Sequence, residues 1–450
     1  MEKQETKGRS LIVSLFDDGT FVEMGAFVRR DKASYDAVLC GYGAVEGKLT
    51  FAFVQDSDRK KGAFDEIGAA KIARLYEQAV RTGAPVIGVF DSAGAVVYDG
   101  ASALSAYGKL MKCVSDASGI IPQIALVSGV CGGMAAVAAG LFDMTVTVKD
   151  VSELFVNAPA LAGRETGKTA YASANGLSAL TADTAEEAAA AARTLIGQLP
   201  ANNRDNADEA AADDPGRAVA PDGLSGAALV KELADAGRFT ELYADYDKAI
   251  VTGLCRMGGT LVGVVASDSS ADAGKLTAKG ARKAARLISF CDSFSIPVVT
   301  LVDSEGVDGS ADPALASALG GLASAYLTAA CPKVTAVTGK AYGAAFTLLG
   351  SRSVGADLAL ALEGSVVSVL DPVTAVAFLC NDQITADKSR AEVEAEWTAE
   401  SASAAAAAEA GAVDDVIPAE ELRARLCAAL YMLAGKTDRT PARRHPVLPL

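Results

Sequence analysis

The chain repeats itself at a constant interval. Gly47 and Gly259 stand 212 residues apart, and the same interval separates Asp56 from Asp268, Lys71 from Lys283, Arg74 from Arg286, Leu75 from Leu287, Pro85 from Pro297, Asp91 from Asp303, Ser92 from Ser304 and Gly94 from Gly306. Further on, Pro122 and Pro332, Gly129 and Gly339, and Gly140 and Gly350 keep an interval of 210, a small shift that one loop absorbs. Chance does not hold register over that length, so the chain has to fold as two copies of one unit. Its 450 residues leave room for two or three domains, each with its own core. The repeat places two, residues 1–215 and 216–450.

Each copy carries the same local grammar. A strand-like apolar run opens it, Leu49 to Val54 or Leu261 to Ala266. A helix follows, with Ile72, Leu75, Tyr76 and Ala79 in the first copy and Ala284, Leu287, Ile288 and Cys291 in the second at the i, i+3, i+4, i+7 spacing of one buried stripe. Buried parallel-type strands come next, Pro85 to Phe90 and Pro297 to Val302, each ending at Asp-Ser and a glycine turn. Another strand, Gln123 to Val127 or Lys333 to Val337, runs into a glycine turn and a small-residue helix. Strand, helix, strand with short turns is an α/β grammar with a crossover unit in each half. The stretch from Ala185 to Gly223, an alanine-rich helical segment giving way to a Pro/Asn/Asp-rich one, reads as the linker, and the alanine run Ser401 to Glu409 as a surface helix.

Composition excludes several chemistries. The single histidine, His445, lies six residues from the end, which removes internal His triads, His metal clusters and HExxH sites. No metal site is expected. Eight cysteines never form a CxxC pair and read as buried thiols. Lys and Arg number 41 against 56 Asp and Glu, and the net charge of −15 repels nucleic acid and anionic lipid. No export signal is visible. The apolar stretch Ile120 to Phe142 carries Pro122, Gln123, Ser128 and four glycines, and reads as strand, turn and helix and not as a membrane span, so a cytoplasmic location is expected.

Chemistry can sit where strand meets helix through glycine. Those places are Ser128-Gly-Val-Cys-Gly-Gly-Met-Ala-Ala136 and Thr338-Gly-Lys-Ala-Tyr-Gly-Ala-Ala-Phe346. Small residues there let a ligand oxygen approach main-chain N–H groups, which makes such a turn a ready oxyanion hole; they also let a helix pack closely on a sheet. The turns Asp91-Ser-Ala-Gly-Ala-Val96 and Asp303-Ser-Glu-Gly-Val307 end buried strands, where α/β sheets bind ligands; each Asp is equally a cap for the next helix. Arg59-Lys60-Lys61-Gly62-Ala63 is the one dense basic run of the first copy, suited to a nucleotide-like tail or to plain solvation. Cys131 has no histidine to activate it and reads as packing. The His445 tail is either a docking segment for a neighbouring subunit or a simple terminus.

At these residues the sequence resembles the carboxyltransferase family of biotin-dependent acyl-CoA carboxylases and decarboxylases. The resemblance is carried by Phe16-Asp-Asp-Gly-Thr-Phe-Val-Glu-Met24, Gly41-Tyr-Gly43, Gly83-Ala-Pro-Val-Ile-Gly88, Gly119-Ile-Ile-Pro-Gln123 and Val148-Lys-Asp150 in the first half. In the second it rests on Lys283-Ala-Ala-Arg286, Phe290-Cys-Asp292, Ile296-Pro297, Pro332-Lys-Val334, Lys340-Ala-Tyr-Gly343, Asp414-Asp-Val-Ile417 and the ending His445 to Leu450. It covers nearly the whole chain.

The resemblance implies a tandem duplication of two crotonase-like domains. The first binds acyl-CoA and the second receives biotin carried covalently on a separate carrier protein. Sites lie between subunits of a homo-oligomer, and the further partners are a biotin carboxylase or membrane decarboxylase subunits. By position, the backbone donors fall at Gly133 and Met134 and at Ala344 and Ala345. The ligand-binding positions fall at Arg59, Lys61, Gly62, Ala63, Ser92, Gly94 and Gly132, and at Gly306, Tyr342 and Gly343. Electrostatic stabilisation by N–H groups then carries the catalysis, which fits the missing internal histidine. Departures are local. The family usually reads Asp-Ser-Gly-Gly-Ala-Arg where this chain has Asp91-Ser-Ala-Gly-Ala-Val96, and Lys-Ala-Tyr-Gly-Gly-Ala-Tyr-Asp where it has Lys340-Ala-Tyr-Gly-Ala-Ala-Phe-Thr347. Its Pro/Gly-rich loop is replaced by Ser304-Glu-Gly-Val-Asp-Gly-Ser310, and Met134 stands where glycine is common. Two other functions stay open at this level: a non-catalytic binding or assembly subunit of the same fold, and a crotonase-type hydratase or isomerase, which would want a Glu beside the first turn.

Overall fold

The computed structural model describes residues 5–29, 35–207 and 213–437. The chain divides into two compact units, Met1–Asp208 and Glu209–Leu450.

In the first unit the strands are β1 (Val22–Met24), β2 (Val38–Val45), β3 (Lys48–Gln55), β4 (Val86–Ser92), β5 (Gln123–Gly132), β6 (Met144–Val148), β7 (Glu153–Phe155) and β8 (Leu180–Ala182). They form one sheet in the order β1-β2-β3-β4-β5-β6-β8, with β7 alongside the far end of β5. The β1–β2–β3 edge is antiparallel, and from β3 onward every pairing is parallel. The second unit contains β9 (Phe239–Leu242), β10 (Ile250–Met257), β11 (Thr260–Ser267), β12 (Val298–Ser304), β13 (Lys333–Tyr342), β14 (Leu358–Leu362), β15 (Val366–Ser368) and β16 (Asp415–Ile417). Its order, β9-β10-β11-β12-β13-β14-β16 with β15 beside β13, repeats that of the first strand for strand. The duplication in the sequence is therefore a duplication of topology.

The crossover helices form where the apolar stripes lie. Helix Glu66–Thr82 buries Ile72, Leu75, Tyr76 and Ala79; Asp65 caps it by accepting from Ile67 and Gly68 N–H, and Gly83 stops it at φ +64°. Helix Ala278–Ser293 buries Ala284, Leu287, Ile288 and Cys291, with Thr277 accepting from Gly280 N–H. The parallel strands are apolar on both faces because helices cover both. In β4, Val86, Ile87, Val89 and Phe90 are fully buried, and Phe90 packs edge-on against Phe53 and Phe142 at 5.8 and 5.7 Å.

The alanine-rich reading of the linker needs correction. Ala185–Gln198 is a helix of the first unit with Ala188, Ala189, Ala192, Leu195 and Ile196 buried, because alanine lets it lie close to the sheet. Its Arg193 donates to the carbonyl of Leu15 (3.0 Å) and to the carboxylates of Asp17 (2.7 Å) and Glu46 (2.9 Å). Asp17 in turn accepts from the N–H groups of Glu46 and Gly47 at the β2–β3 turn, which together with the Arg193 cation lowers its pKa. The second unit repeats this device. Asp235 accepts from Gly258 and Gly259 N–H at the β10–β11 turn and from Arg423 of helix Leu422–Leu433, which also donates to the Leu233 carbonyl. The alanine run near the end is likewise half packed, with Ala404 and Ala407 buried in helix Ala404–Glu409. Ile120 to Phe142 contains β5 and the short helix Met134–Ala139, and no helix among the described residues is long and apolar enough to cross a membrane.

Candidate active site

Both candidate turns are built by the same scaffold. At the end of β4 the register slips between Phe90 and Ser92, so that Ser92 stands opposite Cys131; in β12 it slips between Val302 and Ser304, and Ser304 stands opposite Ala341. The bulge turns Asp91 and Asp303 onto the neighbouring strand. Asp91 accepts from Val130 N–H (3.3 Å) and from Ser57 Oγ, and Asp303 accepts from Lys340 N–H (2.8 Å). A Cβ at Gly129 or Gly339 would fall on these carboxylates, which is why both positions are glycine. The aspartates thus cap no helix; they pin the strand that leads to the turn.

The basic run is laid against the Asp-Ser turn. Ala93 N–H donates to Lys61 O (2.9 Å), Phe64 N–H to Gly94 O (2.9 Å) and Val96 N–H to Phe64 O (3.0 Å). Ser92 Oγ donates to Gly62 O (2.6 Å) and accepts from Gly94 N–H (3.0 Å). This brings Lys61, Gly62, Ala63, Ser92 and Gly94 together, with Ser92 acting as a brace. Arg59 does not join them as a free cation. Its Nε sits 3.5 Å from Asp56 and its guanidinium lies 5.7 Å from the Tyr35 ring, so the exposed cations of the run are Lys60 and Lys61. Both have positive φ, +49° and +56°. In the second half the same backbone recurs, with Glu305 N–H donating to Ala273 O and Leu276 N–H to Gly306 O, and with φ +47° and +52° at Asp272 and Ala273. The unusual backbone belongs to the scaffold, whereas the dense basic run belongs to the first half alone; the second has Asp272 and Lys275 there.

The glycine turns complete each site. Gly133 has φ +61° and Gly343 φ +54°. Gly132 ends β5 and Tyr342 ends β13, and the helices Met134–Ala139 and Gly343–Leu348 follow. Gly133 donates its N–H to the Phe155 carbonyl at 2.8 Å, which removes it from the expected donors. The next amides, of Met134 and Ala135, have no carbonyl one turn back to receive them. By the interval of 210, Met134 corresponds to Ala344 and Ala135 to Ala345. Met134 and Ala344 are exposed, and Ala135 and Ala345 are fully buried. Cys131 is buried, and burial pushes its thiol up, so it is no nucleophile.

One difference between the two sites escapes reading by composition. Around the first turn stand Ala93, Val130, Gly132 and Ala158; at the corresponding places of the second stand Glu305, Lys340, Tyr342 and Asp371. Lys340 Nζ pairs with Glu305 Oε1 at 2.7 Å. The offsets in the sequence could have found these pairs, but only the strand register shows that they ring the turns. Among the described residues no group of three or more His, Cys, Asp or Glu side chains is placed to hold a metal ion, and His445 lies outside the described residues.

The Carboxyl transferase domain profile matches residues 3–448. The chain belongs to the carboxyltransferase family. The carboxyltransferase subunit of propionyl-CoA carboxylase from Haloferax mediterranei is 33% identical over 100% of this chain and 94% of its own length. The α subunit of methylmalonyl-CoA decarboxylase from Propionigenium modestum is 33% identical over 100% and 95%. The transcarboxylase 12S structure, a hexamer with methylmalonyl-CoA and methylmalonic acid bound, superposes with a TM-score of 0.92 at 29% identity over 98% of this chain and 92% of that one. This carboxyltransferase is accordingly an enzyme of two crotonase-like units, with the α/β topology described above.

Proposed function

We propose that the protein moves a carboxyl group between biotin on a separate carrier protein and the α-carbon of a short acyl-CoA. One observation carries the reading: two equivalent turns each open a helix, so that the amides of Met134 and Ala135 and of Ala344 and Ala345 have no carbonyl one turn back to receive them. Around the first turn the places of the second half's Glu305, Lys340, Tyr342 and Asp371 are taken by the uncharged Ala93, Val130, Gly132 and Ala158, which suits a thioester and a short acyl chain. There the amide of Met134 stabilises the enolate oxygen that forms when the bond to the carboxyl group breaks; removing one such donor typically costs about 3 kcal/mol of barrier. Lys61 offers exposed positive charge of the kind a nucleotide tail needs.

The polar surroundings of the second turn, Tyr342 among them, suit a ureido ring, which apolar walls would leave without partners. Bound there, biotin supplies the nitrogen that carries the carboxyl group, and the amides of Ala344 and Ala345 hold its ureido oxygen. The first half of one subunit then faces the second half of another. Exposed Val97 and Tyr98 and exposed Val369, Phe378 and Leu379 are apolar surface of the kind such an assembly covers. Partners follow from the chemistry: the carrier, and either a biotin carboxylase or a membrane decarboxylase.

The test is turnover of malonyl-, methylmalonyl- or glutaconyl-CoA by the purified protein with free biotin. Decarboxylated acyl-CoA is the expected product. Calorimetric binding of acyl-CoA without turnover of any of the three would favour a binding subunit instead. Met134→Pro sharpens the assignment, since proline at the first helical position removes the N–H while fitting the helix. Its kcat should fall about 100- to 1000-fold with an unchanged circular dichroism spectrum.

A further inference from the structure

The pair Lys340–Glu305 is present in one half of a duplicated scaffold and absent from the other. Val130 and Ala93 hold the corresponding places, on a backbone with the same cross-segment bonds: Ala93 N–H meets Lys61 O as Glu305 N–H meets Ala273 O, and Phe64 N–H meets Gly94 O as Leu276 N–H meets Gly306 O. Folding therefore does not require the pair. Lys340 and Tyr342 lie two residues apart on β13 and so project from the same face, immediately before the turn at Gly343. Asp371, which caps helix Pro372–Leu379, and Asp303 complete the charged surroundings of the Tyr342 phenol. The hydrogen bond to Glu305 raises the pKa of the Lys340 ammonium above its ordinary value. Both side chains are accessible, at 50% and 38% of their surface, and an ion pair so exposed is weakly held and readily exchanged.

We propose that Lys340 binds the carboxylate of an N-carboxylated ureido ligand at the second turn, and that Glu305 is the internal carboxylate it gives up when that ligand arrives. This rests on the reading of the second turn as the ureido site and adds to it a cation that discriminates the carboxylated from the uncarboxylated ring. Glu305 is then a positioning residue that holds the ammonium extended toward the turn and competes with the ligand for it. No bond is made or broken in this exchange; one carboxylate replaces another on the same ammonium.

Two cyclic ureas serve as probes in calorimetry on the purified protein: 2-imidazolidinone, which is neutral, and 2-oxoimidazolidine-1-acetate, which bears a carboxylate. The wild-type protein should bind the carboxylated probe several-fold more tightly. Lys340→Met should abolish that preference, Lys340→Arg should keep most of it, and Glu305→Gln should widen it. The opposite signs of Lys340→Met and Glu305→Gln set the proposal apart from a mere brace, whose two halves would shift affinity in the same direction. Equal affinity of the wild-type protein for both probes, or parallel losses in the two variants, would overturn the role of Lys340 while leaving the ureido site intact. Failure of both probes to bind would overturn the ureido site itself, and this role with it.

Discussion

Gly62 shows how a single position can look like a ligand contact and serve the scaffold. It adopts φ +68°, and a Cβ there would fall on the Asp91 carbonyl, a backbone atom that cannot swing aside. Gly94, across the same pair of segments, has φ +102° with open space around it. Gly62→Ala should therefore destabilise the first unit by about 2–4 kcal/mol, from strain and collision together, and Gly94→Ala by about 1–2 kcal/mol from strain alone. Urea denaturation of the two variants checks the order. An equal cost would mean that the turn relaxes around the new methyl group. Serine 92 belongs to the same group of residues: its motif announced a binding turn, and its hydroxyl is spent between Gly62 O and Gly94 N–H.

At the scale of elements, each hairpin is tied to the last helix of its unit through an aspartate and an arginine. The two ties have the same chemistry and different burial. Arg423 has no exposed side-chain surface, while Arg193 keeps 22% of its own. Removing a buried partner strands the Asp235 carboxylate away from water, so Arg423→Ala should cost about 3–5 kcal/mol. The exposed tie is screened, and Arg193→Ala should cost about 1 kcal/mol. Thermal denaturation of both variants would show the difference, and equal losses would indicate that water reaches Asp235. Neither tie keeps the 212 or 210 interval, because the residues that form them follow segments of different length in the two halves. The core strands and the crossover helices were legible, since buried apolar runs and i, i+3, i+4 stripes report directly which faces are buried. The packing of helix Ala185–Gln198 was not, because an alanine-rich helix has the same composition whether it floats in a linker or lies flat on a sheet.

Across the whole molecule, stability at alkaline pH is a contest between opposed groups. Burial raises the thiols of Cys40, Cys131, Cys255, Cys291 and Cys331, with Cys40 and Cys331 reaching about 12, and it raises the phenols of Tyr76, Tyr107 and Tyr326. These groups ionise first in the unfolded chain, so the stability they contribute is complete below about pH 9 and is lost as the pH rises. Lys283 acts the other way. It is buried, donates to the Asp247 carbonyl at 2.8 Å, and has its pKa lowered to about 8 by burial. Between pH 8 and its ordinary value of 10.5 the unfolded chain binds the extra proton, so this lysine's contribution becomes more favourable as the pH rises. Denaturation midpoints should fall from pH 8 to pH 10, and they should fall more steeply in Lys283→Met. Parallel curves would mean that Lys283 stays charged in the folded protein.

The amino-acid sequence determined by itself that this is a doubled α/β chain with a single histidine near its end, because intervals, periodicities and residue counts survive without coordinates. It also led to the family, through motifs whose order and spacing can be read along one dimension. Tertiary structure alone decided which atoms are free to act. It committed Gly133 N–H to Phe155, turned Arg59 toward Asp56, and set Lys340 against Glu305 beside one turn while leaving Val130 and Ala93 beside the other. Hydrogen-bond occupancy and side-chain direction depend on partners dozens of residues away, and only the folded chain brings those partners within reach.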